Sequence, residues 1–151
     1  MGNAFCHIEL NTGDVAAAKK FYKAIFDWKL EDMKGMGYTM IGVGKDGVGG
    51  GMQKKPMEEA PNHWLPYVEV ADVKKTLAKA KAAGAQIVVD FMPIGETMGA
   101  IGIFMDPAGA ALGVWQKGKP APKKAAAKPA KKAAKKAAKK PAKKAAKKGK
   151  K

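Results

Sequence analysis

His7 and Glu9 stand two residues apart in Phe5-Cys6-His7-Ile8-Glu9-Leu10. Extended backbone sends successive side chains to opposite faces. Phe5, an imidazole and a carboxylate therefore share one face, while Ala4, Cys6, Ile8 and Leu10 line the other. Imidazole and carboxylate are the side chains that move protons near neutral pH. A second carboxylate, Glu69, sits in a second alternating stretch, residues 64–70, where Leu65, Tyr67 and Glu69 share a face. Glu9 precedes Asp14 and Glu69 precedes Asp72, with a two-residue difference in spacing. The two carboxylates are thus expected to be related by an internal repeat. They would act as general acid and base, or form a structural pair between the two halves.

The elements that must position these residues repeat as well. Residues 4–10 read as a strand. Asp14 is a good N-cap for a helix over residues 15–26, with Ala18, Phe21, Tyr22, Ile25 and Phe26 on its apolar side. Residues 28–33, 38–43 and 48–53 read as three short strands. Residues 54–62, with Pro56 and Pro61, form a linker. Residues 64–70 then open a second cycle. Asp72 caps a helix running to about residue 83 and Gly84 stops it. Strands follow over 86–91, 99–105 and 110–116, the last two joined by the turn Asp106-Pro107-Ala108-Gly109. The pattern βαβββ thus occurs twice, and such repeats stack with a cleft between them. Gly42 to Gly51 is not a phosphate loop, because no Gly-Lys-Ser/Thr ending and no helix follows. It reads as a flexible hairpin at the rim of the cleft.

Charge divides the chain differently. Residues 117–151 hold 17 of the 29 lysines and no acid, whereas residues 1–116 hold 12 lysines and all 13 acids. The domain reading is therefore a folded body, 1–116, and a disordered Lys/Ala/Pro-rich polycationic tail, 117–151. The tail has nothing large enough to bury, adjacent lysines repel, and Pro120, Pro122, Pro129 and Pro141 break any helix. Its Lys-Lys-Ala-Ala repeat carries the candidate nucleic-acid contacts: Lys123, Lys124, Lys131, Lys132, Lys135, Lys136, Lys139, Lys140, Lys143, Lys144, Lys147 and Lys148. Arginine, the residue of bidentate recognition, is absent from the whole chain. The expected partner is DNA or another polyanion, bound without sequence specificity. No apolar anchor accompanies the charge and no segment is long and apolar enough to span a bilayer, so no membrane role is expected. The first residues show no signal peptide. A single cysteine, Cys6, fits a reducing cytoplasm, with association to the nucleoid through the tail.

The segments 5–10, 20–28 (Lys-Phe-Tyr-Lys-Ala-Ile-Phe-Asp-Trp), 64–73 and 106–115 resemble the vicinal oxygen chelate superfamily. This superfamily includes glyoxalase I, extradiol dioxygenases, and fosfomycin and bleomycin resistance proteins. The glyoxalase-related group is the nearest likeness, and the tail resembles that of linker histones. The resemblance implies an α+β fold in which two βαβββ modules form a curled mixed-sheet cup, paired within one chain or across a homodimer. It also implies a divalent metal (Zn, Ni, Mn or Fe) held by His, Gln or Glu from the first and last strands of the modules, acting as a Lewis acid. His7 matches the first-strand ligand position. His63 lies near the second-module histidine of fosfomycin-resistance relatives, with Leu65 and Tyr67 as alternatives at that register. Gly113 stands where the last strand normally offers glutamate, and the first module's last strand offers only Gln53. The usual triad is therefore broken. Glu9 and Glu69 are candidate ligands or catalytic groups in its place, and Phe5, Tyr67 and Trp115 candidate walls of a small-molecule pocket.

Three functional readings follow. The first is a small-molecule-binding domain tethered to nucleic acid by its tail. The second is a metal-dependent lyase, isomerase or dioxygenase. The third is a nucleoid-associated protein whose body is a dimerisation platform.

Overall fold

The computed structural model describes residues 2–119; the candidate tail contacts from Lys123 to Lys148 lie outside the described residues. The element order is β1 (Phe5–Thr12), α1 (Val15–Ile25), β2 (Lys29–Met33), β3 (Tyr38–Gly42), β4 (Gly50–Lys54), β5 (His63–Glu69), α2 (Val73–Ala82), β6 (Gln86–Gly95), β7 (Gly99–Met105) and β8 (Ala111–Gln116). The two expected βαβββ modules are present.

Both helices begin at the aspartates expected to cap them. Asp14 Oδ1 accepts from the Ala17 N–H at 2.8 Å, and Asp72 Oδ1 from the Lys75 N–H at 3.0 Å. Gly84, at φ +94°, ends α2 in the left-handed turn that a glycine adopts without strain. β1 runs to Thr12, two residues past its expected end, because it is paired on both sides there: Asn11 with His63 and Thr12 with Lys54. β6 likewise runs past residue 91 to Gly95. It is an edge strand with register shifts, so Pro93 forfeits no central ladder bond.

The strands form one mixed eight-stranded sheet in the order β2-β3-β4-β1-β5-β8-β7-β6. β2 and β6 are its edges, so it does not close into a barrel. β1 runs parallel to β4 and β5 parallel to β8, and the modules join within the chain through the antiparallel β1–β5 pair. That pair is centred on Ile8 opposite Pro66. The offset relating Ile8 to Pro66 also relates Asp14 to Asp72, so a pseudo-twofold passes through this point. Under it, Glu9 corresponds to Tyr67.

The helices cover one face of the sheet. Under α1 lie Leu10, Ile41 and Met52; Val73 and Leu77 of α2 pack on Val70 and Val114 in a second cluster. Strand alternation directs His7, Glu9 and Asn11 to the opposite face.

Candidate functional site

On that opposite face the sequence places a carboxylate in the middle of the sheet. Glu9 is only 7% exposed. Its Oε1 accepts from Gln53 Nε2 at 3.0 Å, Asn11 Nδ2 at 3.2 Å and the Tyr67 hydroxyl at 3.3 Å. Its Oε2 accepts from the Tyr38 hydroxyl at 3.1 Å. The register explains this convergence. Glu9 stands between Gly51 on β4 and Leu65 on β5, with Asn11 beside Gln53 and Gln53 beside Tyr38. Tyr38 and Asn11 were not foreseen as site residues. Asn11 shares the strand parity of Glu9, a signal present in the sequence, whereas Tyr38 arrives only through the β3–β4 register.

Two glycines make room for the tyrosines. A Cβ on Gly51 would fall on the Tyr38 hydroxyl, and a Cβ on Gly113 would fall on the Tyr67 ring. Gly51 pairs with Glu9 on β1, and Gly113 with Tyr67 on β5, so the two positions correspond under the pseudo-twofold. Tyr67 is 3% exposed: it fills the sheet face as packing, with its hydroxyl on Glu9.

His7 Nε2 lies 2.7 Å from the Tyr38 oxygen. Tyr38 spends its own proton on Glu9, so it can only accept from His7. His7 therefore carries its proton on Nε2, leaving Nδ1 as an acceptor. Nδ1 has no hydrogen-bond partner among the described residues. No buried polar side-chain atom there lacks a partner, so Nδ1 reaches solvent. The resulting chain is His7 Nε2–H to Tyr38 O–H to Glu9. Burial holds the His7 pKa below its ordinary value, with the Glu9 charge opposing. Burial first, and then the charge and hydrogen bond of Glu9, push both tyrosines well above the usual phenol range. Near neutrality the chain consists of a neutral imidazole and the Tyr38 hydroxyl, with Tyr67 a second hydroxyl donor to Glu9.

The other candidates sit apart. His63 faces Asn11, four residues along the ladder from His7, or about 13 Å. Its Nδ1 is 2.9 Å from the Pro61 carbonyl oxygen. Glu69 pairs with Lys117 at 2.8 Å near the end of β5. Its counterpart under the pseudo-twofold is Asn11, not Glu9. Trp115 shares the face of Gly113, partly buried, and its indole N–H donates to the Met98 carbonyl at 2.7 Å. Phe5 is exposed beyond a bulge in β1.

The sequence profile of the Glyoxalase/Bleomycin resistance protein/Dioxygenase superfamily matches residues 4–114. The chain belongs to this superfamily. It is similar to CFP32 of Mycobacterium tuberculosis, named a candidate glyoxylase, with 34% identity over 115 residues, covering 72% of this chain and 44% of that protein. It is also similar to the anthracycline biosynthesis protein DnrV of Streptomyces peucetius, with 27% identity, covering 73% of this chain and 46% of that one. The chain thus spans under half the length of these curated relatives. Among solved structures, the hypothetical protein BH1468 of Bacillus halodurans superposes with a TM-score of 0.58 at 17% identity, covering 81% of this chain and 99% of that one.

Members of the superfamily commonly use divalent metals. The residues of this glyoxalase-superfamily domain do not fit one. On the last strands, Gly51 and Gly113 are covered by tyrosine, and the side chain that β4 does offer, Gln53, is committed to Glu9 and Asn11. Glu9 is saturated by four donors, His7 Nε2 is committed to Tyr38, and His63 is held at Pro61. Among the described residues, no three of His, Cys, Asp and Glu converge as a metal would require.

Proposed function

We propose that this domain binds a small organic molecule at His7 without a metal, and that its lysine-rich tail tethers it to nucleic acid. One observation carries the first half: tyrosines cover Gly51 and Gly113 and Gln53 is committed to Glu9 and Asn11, while the hydrogen-bond order leaves His7 Nδ1 as a free acceptor. A ligand suited to that nitrogen presents an acidic O–H, phenolic or enolic, on a flat apolar body. Anthracyclines, the compound class in the name of one relative, are of this kind. Binding of a panel of planar hydroxyaromatic compounds, followed by tryptophan fluorescence, tests the reading. Saturable binding abolished by His7→Ala is expected. A panel that binds equally well to the variant removes His7 from the site.

The His7–Tyr38–Glu9 chain also supports a second reading, in which Nδ1 takes a proton from the bound molecule and the buried carboxylate steadies the imidazolium through Tyr38. Proton exchange into the ligand from deuterated water, lost in Tyr38→Phe, distinguishes this from binding alone.

The tether rests on the charge count: 17 lysines and no acid over residues 117–151. Affinity of the full chain for duplex DNA should fall steeply with salt, with a log–log slope of about −0.9 for each phosphate neutralised. A flat dependence sinks the tether.

A further inference from the structure

The helix side of the second module holds an open groove. The offset that relates Asp14 to Asp72 also relates Lys19 to Leu77 and Asp32 to Asp90. In the first module Lys19 Nζ lies 2.7 Å from each Asp32 oxygen, which ties α1 to edge strand β2. No such ion pair joins α2 to edge strand β6 among the described residues. Leu77 is buried in the core instead, and Asp90 Oδ1 accepts from the Phe91 N–H at 2.7 Å. A groove of about 540 Å³ lies between α2 and β6, a volume in the range of small-molecule sites.

The floor of this groove is apolar and one bank is basic. Ile87 and Phe91, with Leu77 beneath, form the floor. Lys74, Ala78 and Lys81 share one face of α2 and form the bank. The two lysine backbones stand about 10 Å apart along the helix. Ala78 leaves the space between them open, so both long side chains can close on one acidic group above it. Neither lysine has an ion-pair partner among the described residues. Lys74 Nζ instead lies 4.6 Å from the centroid of the Phe91 ring, where a cation rests when no anion is near. The opposite bank carries one acid, Asp90, so two positive charges face one negative.

We propose that the α2–β6 groove binds an amphipathic anion with a single head, a medium-chain fatty carboxylate. The carboxylate sits above Ala78 between Lys74 and Lys81, and the chain lies on Ile87 and Phe91. The charge balance selects one singly charged head. A second acidic group on the far bank would meet Asp90, and a phosphate would bring close to two charges where the groove offers a net one. The apolar lining is aliphatic apart from Phe91, and Lys74 already covers that ring, so an alkyl chain fits better than a flat ring system. The groove lies on the opposite face of the sheet from His7, so the two sites are separate.

Calorimetric titration of decanoate into the full chain at physiological ionic strength tests the proposal. Saturable binding of one equivalent is expected, with decanol, which lacks the charged head, binding more weakly. Lys74→Gln combined with Lys81→Gln should weaken decanoate by about ten-fold or more. Lys75→Gln combined with Lys79→Gln removes the same charge from α2 outside the groove and should leave the affinity unchanged. All four lysines are exposed, so neither pair of changes disturbs the core. His7→Ala should also bind decanoate like the wild type, which separates this groove from the site proposed at His7. The proposal is overturned by the absence of saturable binding into the millimolar range, or by decanol binding as tightly as decanoate. It is equally overturned if the two lysine pairs weaken binding alike, if the groove pair has no effect, or if His7→Ala abolishes it.

Discussion

Gly113→Ala probes the packing that closes the last-strand position. The added Cβ would fall within the Tyr67 ring, far inside van der Waals contact. Tyr67 has little room to retreat: it is 3% exposed, its ring stands edge-on to His7 at 5.9 Å, and its hydroxyl is fixed on Glu9. Overpacking of this kind costs about 1–3 kcal/mol. For a domain of this size the Tm should drop by about 4–12 °C. Thermal denaturation followed by circular dichroism measures it. A double-mutant cycle sharpens the test. With the ring removed in Tyr67→Ala, itself destabilising by about 3–5 kcal/mol, the additional cost of Gly113→Ala should nearly vanish. The coupling would then be about 1–3 kcal/mol. A Gly113→Ala variant as stable as wild type, or a cycle with no coupling, would show that the ring does not occupy this position. The last-strand position at Gly113 would then be open rather than filled.

Other predictions concern the same network and its frame. Glu9→Gln replaces a buried acceptor-only group with one that turns an N–H₂ toward existing donors, and should cost about 3 kcal/mol in urea denaturation. His7 has a folded-state pKa below its unfolded value. The unfolded chain therefore binds the extra proton first, and stability present above pH ~6.5 should be lost as pH falls toward the folded pKa. That slope should be missing in His7→Gln, as denaturant midpoints at a series of pH values will show. Asp14→Ala removes the side-chain acceptor for the Ala17 N–H and should cost about 1 kcal/mol, seen as a shift in the same midpoint.

The sequence carried most of the fold because its signals were local. Alternation fixed the two faces of β1 and β5, and short polar side chains before apolar helices marked Asp14 and Asp72 as caps. The site was legible only in part. Strand parity brought His7 and Glu9 together, and the resemblance to the superfamily marked Gly113 as the place where a carboxylate is missing. What fills that position could not be read. Tyr67 reaches Gly113, and Tyr38 reaches Gly51, through pairings between residues distant in the chain. No local pattern specifies such a register. The same limit made Glu69 look like the mate of Glu9. Spacing to the helix caps differs by two residues between modules, and the β1–β5 pairing shows that Tyr67 holds the equivalent place. The glycines of β4 give it few side chains to mark it as a strand. They are required there because Gly50 backs onto the Ile8 carbonyl and Gly51 onto Tyr38.

In the proposed reading, tyrosines fill the space over Gly51 and Gly113, no metal is held, and the half-buried His7 offers Nδ1 to a ligand. Metal analysis of the full chain after incubation with zinc, nickel, manganese and iron, run beside His7→Ala, tests it most directly. The account predicts no stoichiometric retention of any of the four, and no difference between the two proteins. One equivalent of metal retained by the wild type and lost in His7→Ala would contradict it.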